Sequence, residues 1–149
     1  MVRPTSKRTV VTRTFKNQAW QDFLRIVRLM SVDPAGPQGF TETEREKIKQ
    51  GLEDWNGRNN DSQITFNVNL EAPPPPPGTS NTIRIVFDPA TPQCCLASQS
   101  IARDGLGRVS ATIKLFGTIR LGDNSNPSAR ADFVRTVARH EGGHILAGC

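Results

Sequence analysis

Residues 126–147 have the sequence NPSARADFVRTVARHEGGHILA and predict one long helix, against which the rest of the chain must pack. Asn126 can cap free backbone N–H groups, and Pro127 suits the first helical position. The helix is expected to end near Ala147, with Gly148 as its C-terminal stop. The preceding residues therefore have to supply the layers that cover its apolar stripe.

Two histidines continue that apolar stripe. Phe133, Val137, His140 and His144 fall at positions i, i+4, i+7 and i+11, so both imidazoles are predicted to face inward. Glu141 lies on the adjacent row, on the same buried side. Burying such polar groups without partners costs about 1–3 kcal/mol each. A bound metal ion would remove that cost, because side chains one helical turn apart can hold one ion.

The segment His140-Glu141-Gly142-Gly143-His144 has the spacing of a zinc hydrolase. We predict that His140 and His144 are metal ligands and that Glu141 is the catalytic group, acting on a metal-bound water. The alternative is that each imidazole is an ordinary hydrogen-bonded core histidine. The chain has only 2 histidines, and both lie in this motif, which favours the metal site.

A second helix is predicted to begin after Thr41, because Thr41 and Glu44 have the spacing of a capping box. Ile48, Leu52 and Trp55 follow at i, i+4 and i+7 and are expected to form its buried stripe.

Strands are predicted between the two helices from alternating or apolar runs, at residues 64–70, 82–87, 96–101, 109–115 and 118–121. Residues 96–101 are interpreted as an irregular or edge strand. Pro73 to Pro77 end the first strand and are interpreted as a rigid connection. The order of elements predicts an α+β fold, with a twisted, mostly consecutive β-sheet packed on two long helices.

Basic charge is concentrated at the N-terminus. The net charge of the chain is +5, which is the sum of +6 for residues 1–28 and −1 for the remaining residues. Without a nucleic-acid motif, such an arm is interpreted as a solvated tail, so no clear nucleic-acid partner is expected. Residues 15–30 are predicted to form an amphipathic helix, followed by a turn-rich linker at 33–39. We therefore divide the chain into a basic N-terminal segment, 1–39, and a main domain, 40–149.

Neither a membrane span nor a signal peptide is visible in the sequence. No apolar run approaches the ~18 residues that a spanning helix needs, and arginines interrupt the segment 23–30. Cys94 and Cys95 are adjacent, with Cα atoms ~3.8 Å apart, below the ~4.4 Å usual for a disulfide. They are therefore not expected to pair with each other, and one of them could pair with Cys149.

Taken together, these segments resemble the metzincin zinc endopeptidases, in particular the catalytic domains of the matrixin-like branch. The resemblance covers roughly residues 40–149. It is carried by segments that match the family in order and spacing, at residues 44–56, 64–66, 83–87, 96–98, 113–115 and 140–144. Gly143 fits the family's frequent His-Glu-x-Gly-His form. The resemblance implies a zincin-like N-terminal subdomain, Zn²⁺ as cofactor, a peptide or protein substrate and a secreted or extracellular location.

The chain departs from the family pattern near its end. Ala147 stands where the family has glycine, no residue occupies the position of the third histidine, and the third zinc ligand is therefore unassigned. Gly142 stands where the family usually has an apolar helix former, and glycine costs ~1 kcal/mol relative to alanine inside a helix. We interpret the sequence as a metzincin-like domain truncated within its active-site helix.

The resemblance implies a zinc-dependent endopeptidase in which Glu141 takes a proton from zinc-bound water and passes it to the leaving amine. One alternative is a catalytically inactive binding module that lacks a complete metal site. Another is a weak site made from the two histidines with Cys149, or shared between two chains. Residues 123–126 could also supply oxygens to Ca²⁺, although a solvated loop that ends in a helix cap is the preferred interpretation.

Overall fold

The computed structural model describes residues 23–24, 29–56, 65–76, 79–103, 105–106, 108–121 and 126–147. Within these ranges the fold is α+β, with one five-stranded mixed sheet and two helices. The elements are β1 (Leu29–Val32), α1 (Glu42–Glu53), β2 (Val68–Asn69), β3 (Thr82–Asp88), β4 (Ala97–Arg103), β5 (Val109–Phe116), a 3₁₀ helix (Gly117–Leu121) and α2 (Pro127–Ala147). The two helices predicted after Thr41 and after Asn126 are confirmed, as are the strands predicted at 82–87, 96–101 and 109–115.

The strand order is β2-β1-β3-β5-β4, with β4 at one edge. β1, β2, β3 and β5 pair in parallel, and β4 pairs antiparallel with β5. The predicted edge position of β4 is therefore confirmed, but the mostly consecutive order is wrong. Parallel neighbours need crossover connections, which place strands that are distant in sequence side by side.

Three predicted segments differ from the structure. Leu29 and Met30 belong to β1 rather than to a helix over 15–30, because they pair with Thr82 and Ile83 of β3. Of that predicted helix, residues 15–22 and 25–28 lie outside the described residues, whereas Phe23 and Leu24 are helical and buried. The sheet thus takes one strand, and the core several side chains, from the segment 1–39.

Of the strand predicted at 64–70, residue 64 lies outside the described residues, and the described part is a strand only at Val68–Asn69. Its earlier part is bonded to a side chain instead: Asn56 donates through Nδ2 to the Phe66 carbonyl at 2.6 Å and accepts from the Phe66 N–H at 2.8 Å. The predicted strand at 118–121 is a 3₁₀ helix, which buries Ile119 completely. In both places local hydrogen bonding replaces a sheet partner.

The start of α1 has the predicted capping box. The Thr41 N–H donates to Glu44 Oε1 at 2.8 Å, and the Glu44 N–H donates to Thr41 Oγ1 at 3.1 Å. α1 and α2 then pack closely, and their buried side chains form one cluster with those of the sheet. Among the described residues, no helix has the length and apolarity required to cross a membrane.

Cys94 and Cys95 form a disulfide with each other, so the prediction that they would not pair is wrong. Their Cα atoms are 3.7 Å apart, as for any neighbouring residues, and the bond closes a small ring within the turn that precedes β4. The usual Cα limit applies to cysteines that are distant in sequence, where no peptide bond already joins the two residues. Cys149 lies outside the described residues.

Candidate metal centre

The last two turns of α2 bring the three predicted site residues together. The ligating atoms of His140, Glu141 and His144 all lie within 4.8 Å of one another. The two Nε2 atoms are 3.0 Å apart, and the rings meet edge to face at 85°. His144 and Glu141 are buried, as the apolar stripe predicts, and His140 is partly buried.

The spacing of the two imidazoles fits a shared metal ion. Two nitrogens bound to tetrahedral zinc at ~2.0–2.1 Å lie ~3.3–3.4 Å apart. The Nε2 atoms, at 3.0 Å, need to separate by only about 0.3 Å to reach this spacing. The same distance also fits a hydrogen bond between one protonated and one unprotonated Nε2, which is the alternative arrangement of this pair.

Glu141 is the most buried member of the group, with 1% of its surface exposed. Its Oε1 accepts a hydrogen bond from Gln99 Nε2 at 3.1 Å. Its Oε2 is buried and has no hydrogen-bond partner among the described residues. Burial raises the pKa of Glu141 to about 7, against the smaller lowering effect of the Gln99 hydrogen bond. An unsatisfied buried acceptor is rare in folded proteins, and a cation or a water held by the histidines would satisfy it.

Sequence reasoning missed Gln99 as part of the site. Gln99 lies on β4, 8% exposed, and faces the core side together with the fully buried Ala97. The sequence does place a polar side chain at an inward position of a predicted strand. Such a residue needs a buried hydrogen-bond partner, and this could have marked Gln99 as part of a polar site. The sequence gives no indication that this partner is Glu141, which is 42 residues away.

Trp55 was predicted only as part of the buried stripe of α1. In the structure its indole lies against Gly142 and Gly143, the two glycines between the candidate metal ligands. This contact joins the end of α1 directly to the motif.

A charged cluster next to this contact holds the two helices together. Asp54 accepts hydrogen bonds from Arg135 at 3.0 and 2.7 Å and from Arg139 at 3.1 and 2.9 Å. The Asp54 side chain is 15% exposed, whereas the two arginines are about 40% exposed. The hydrogen bond from Arg135, reinforced by Arg139, lowers the pKa of Asp54 from 3.8 to about 2.

Replacement of Asp54 by asparagine is expected to lower the free energy of unfolding at neutral pH by about 1 kcal/mol, since exposure of the arginines weakens the ion pairs. The folded-state pKa lies below the unfolded one, so the contribution is complete above pH 3.8 and is lost as the pH falls through about 2. Urea unfolding between pH 7 and pH 2 should show the two proteins converging in acid. Asp132→Asn, at an exposed pair with Lys47 of 3.5 Å, is the control. Parallel pH profiles for the Asp54 variant and the unmodified protein would contradict this assignment.

Of the other candidate ligands named from the sequence, the structure describes only Asn126. Within the described ranges, the group of His, Cys, Asp and Glu side chains able to share one ion consists of His140, Glu141 and His144. Cys149 and residues 123–125 lie outside those ranges. Asn126 Oδ1 accepts from the Ala129 N–H at 2.7 Å, so Asn126 acts as the helix cap.

Comparisons with protein-family models, with curated proteins and with solved structures found no match for this chain.

Proposed function

We propose that this chain is a metzincin-like zinc endopeptidase domain in which His140 and His144 hold Zn²⁺ and Glu141 is the general base. The observation that carries the proposal is the joint placement of two imidazole nitrogens 3.0 Å apart and a buried carboxylate with one unsatisfied oxygen. A helix that served packing alone would gain nothing from this combination, because each buried polar group costs free energy. Catalytic zinc takes three protein ligands, so the proposal requires a third ligand from outside the described residues.

The chain's own residues divide the chemistry between them. When bound, Zn²⁺ would polarise a peptide carbonyl and lower the pKa of its water ligand and of the adjacent carboxylate. Glu141 Oε2 is the acceptor left for the proton, since Oε1 is already bonded to Gln99. From Oε2 the same proton is passed to the leaving amine. Burial of Glu141 limits competition from bulk water during both transfers.

The edge strand β4 offers a place for an extended substrate. One side of β4 pairs with β5, and no other strand of the described sheet pairs with its outer side. A peptide added along that side would gain main-chain hydrogen bonds. Because Gln99 of β4 contacts Glu141, such a peptide would pass beside the metal centre. This arrangement, with α1 and α2 packed on the sheet, supports the zincin-like subdomain; the extracellular location stays a prediction from the resemblance.

Zinc stoichiometry tests the proposal. The chain, loaded with Zn²⁺ and then dialysed, is expected to retain one ion, and His144→Ala is expected to retain none. Zinc at 100 times its dissociation constant should also stabilise the unmodified chain by about 2.7 kcal/mol, and the variant not at all. Elemental analysis and thermal unfolding measure both effects, and Glu46→Gln, at an exposed carboxylate of α1, is the control.

The alternatives give different results in the same experiment. A cooperatively folded chain that retains no zinc would overturn the peptidase proposal and favour an inactive binding module. One ion for every two chains would favour a site shared between copies.

A further inference from the structure

The indole of Trp55 lies very close to the two glycines of the proposed metal-binding motif, Gly142 and Gly143. A Cβ atom added to Gly142 would lie 2.9 Å from both Cδ1 and Nε1 of Trp55 and 3.3 Å from Leu52 Cδ2. A Cβ atom added to Gly143 would lie 3.1 Å from Trp55 Cζ2. Real Cβ contacts are longer, so the indole occupies space that any larger residue at Gly142 would need. This contact explains why a helix interior carries two residues that disfavour helix.

The polar atom of the same indole is bonded to the same turn. Trp55 Nε1 donates to the Arg139 carbonyl at 2.8 Å. Arg139 directly precedes His140, and in an α-helix its carbonyl lies one turn before the N–H of Gly143. The ring therefore lies against the two glycines of the motif, and its N–H group is bonded to the carbonyl just before the motif.

Trp55 is itself fixed on both sides. Asp54, the preceding residue, is held by the two arginines of α2. Asn56, the following residue, makes two hydrogen bonds with the Phe66 backbone. Because both neighbouring residues are held by hydrogen bonds, the position of the indole against the turn is restricted.

We propose that Trp55 is a positioning residue for the metal centre: its indole, seated on Gly142 and Gly143, sets the backbone of the turn that presents His140 and His144. This inference rests on the proposed function, because it concerns the geometry of the two ligands. The competing interpretation is that the indole merely packs the two helices together. That interpretation allows a loss of stability but no separate change in metal affinity.

A double-mutant cycle separates the two interpretations. Gly142→Ala alone is expected to weaken zinc binding about tenfold, because the new methyl group displaces the turn from the indole. Trp55→Leu removes the atoms that the methyl group meets. Gly142→Ala should therefore cost much less affinity in the Trp55→Leu background than in the unmodified protein. Gly36→Ala is the matched control, since a Cβ atom at Gly36 meets nothing within 4 Å.

Three measurements are made on each variant: zinc affinity by competition with a chelator, the visible spectrum of the Co²⁺-loaded chain, and urea unfolding without metal. Affinity losses that are relieved in the double variant, with an altered Co²⁺ spectrum for Gly142→Ala, would support the positioning role. Additive losses, or lower stability with unchanged affinity and spectrum, would overturn it. Trp55→Phe replaces Trp55→Leu in the cycle if the leucine variant does not fold. Failure of the unmodified chain to bind zinc would instead overturn the proposed function, and this role with it.

Discussion

If the proposed function is right, replacement of Glu141 by glutamine is expected to lower the rate of peptide hydrolysis about 10²–10⁴-fold, while zinc remains bound. The amide has nearly the shape of the carboxylate but cannot accept the proton that the proposal assigns to Oε2, the oxygen without a hydrogen-bond partner among the described residues. The amide oxygen can still accept the hydrogen bond from Gln99, so the turn keeps its contact with β4. Cleavage of a fluorogenic peptide by the full-length protein, measured together with its zinc content, checks the prediction.

The stability of this variant provides an internal control. Because Oε2 has no partner among the described residues, loss of its charge removes no hydrogen bond there. The free energy of unfolding should therefore fall little, or rise, and the activity loss cannot be attributed to unfolding. Glu46→Gln makes the same chemical change at an exposed position and should leave the rate unaltered. If Glu141→Gln retains peptidase activity, Glu141 is not the base.

Replacement of Gly51 by alanine is expected to destabilise the protein by about 3 kcal/mol, or to prevent folding. Gly51 lies where α1 crosses α2. An added Cβ atom would overlap the Arg135 carbonyl oxygen and would lie 2.8 Å from Ala138 Cβ and 3.0 Å from the Arg139 nitrogen. In an isolated helix the same change would stabilise by about 1 kcal/mol, since alanine is the better helix former. Here the clash is the larger effect, because two of the atoms it involves belong to the backbone of α2 and cannot move independently.

Urea unfolding of Gly51→Ala and of Gly36→Ala compares the same substitution in closed and open surroundings. Gly36 has nothing within 4 Å of its added Cβ, so its variant should have nearly unchanged stability. Equal stability for both variants would mean that the two helices do not approach each other as closely as described.

The parts of the fold that could be predicted are those determined by neighbouring residues. Thr41 and Glu44 lie three positions apart, and the capping box that they predict is present. Thr82 to Phe87 is rich in β-branched residues and forms β3. The strand order depends on crossovers between distant segments, which periodicity does not encode. Residues 118–121 were misassigned for a related reason, since their apolar alternation also suits a 3₁₀ turn that buries Ile119.

The candidate site likewise has one part that the sequence predicts and another that only the tertiary structure reveals. His140 and His144 meet because positions four apart share one face of a helix, so their proximity could be predicted from the sequence. Gln99 bonds to Glu141 from 42 residues away, and Trp55 bonds to Arg139, next to the motif, from 84 residues away; both contacts exist only once β4 and α1 have packed on α2. Gly142 departs from the pattern of the family that the chain resembles, and the physical reason for a glycine there, the indole against it, is visible only in the tertiary structure.

The position of β1 has a consequence for any shortened version of this protein. β1 lies between β2 and β3 and pairs with both, although its four residues precede α1. A version trimmed to start at Phe40 would lack that strand, so one edge of β3 would be unpaired and β2 would have no partner strand among the described residues. Such a gap in the sheet invites intermolecular pairing. Recombinant fragments of this protein should therefore begin before Leu29, so that β1 is kept.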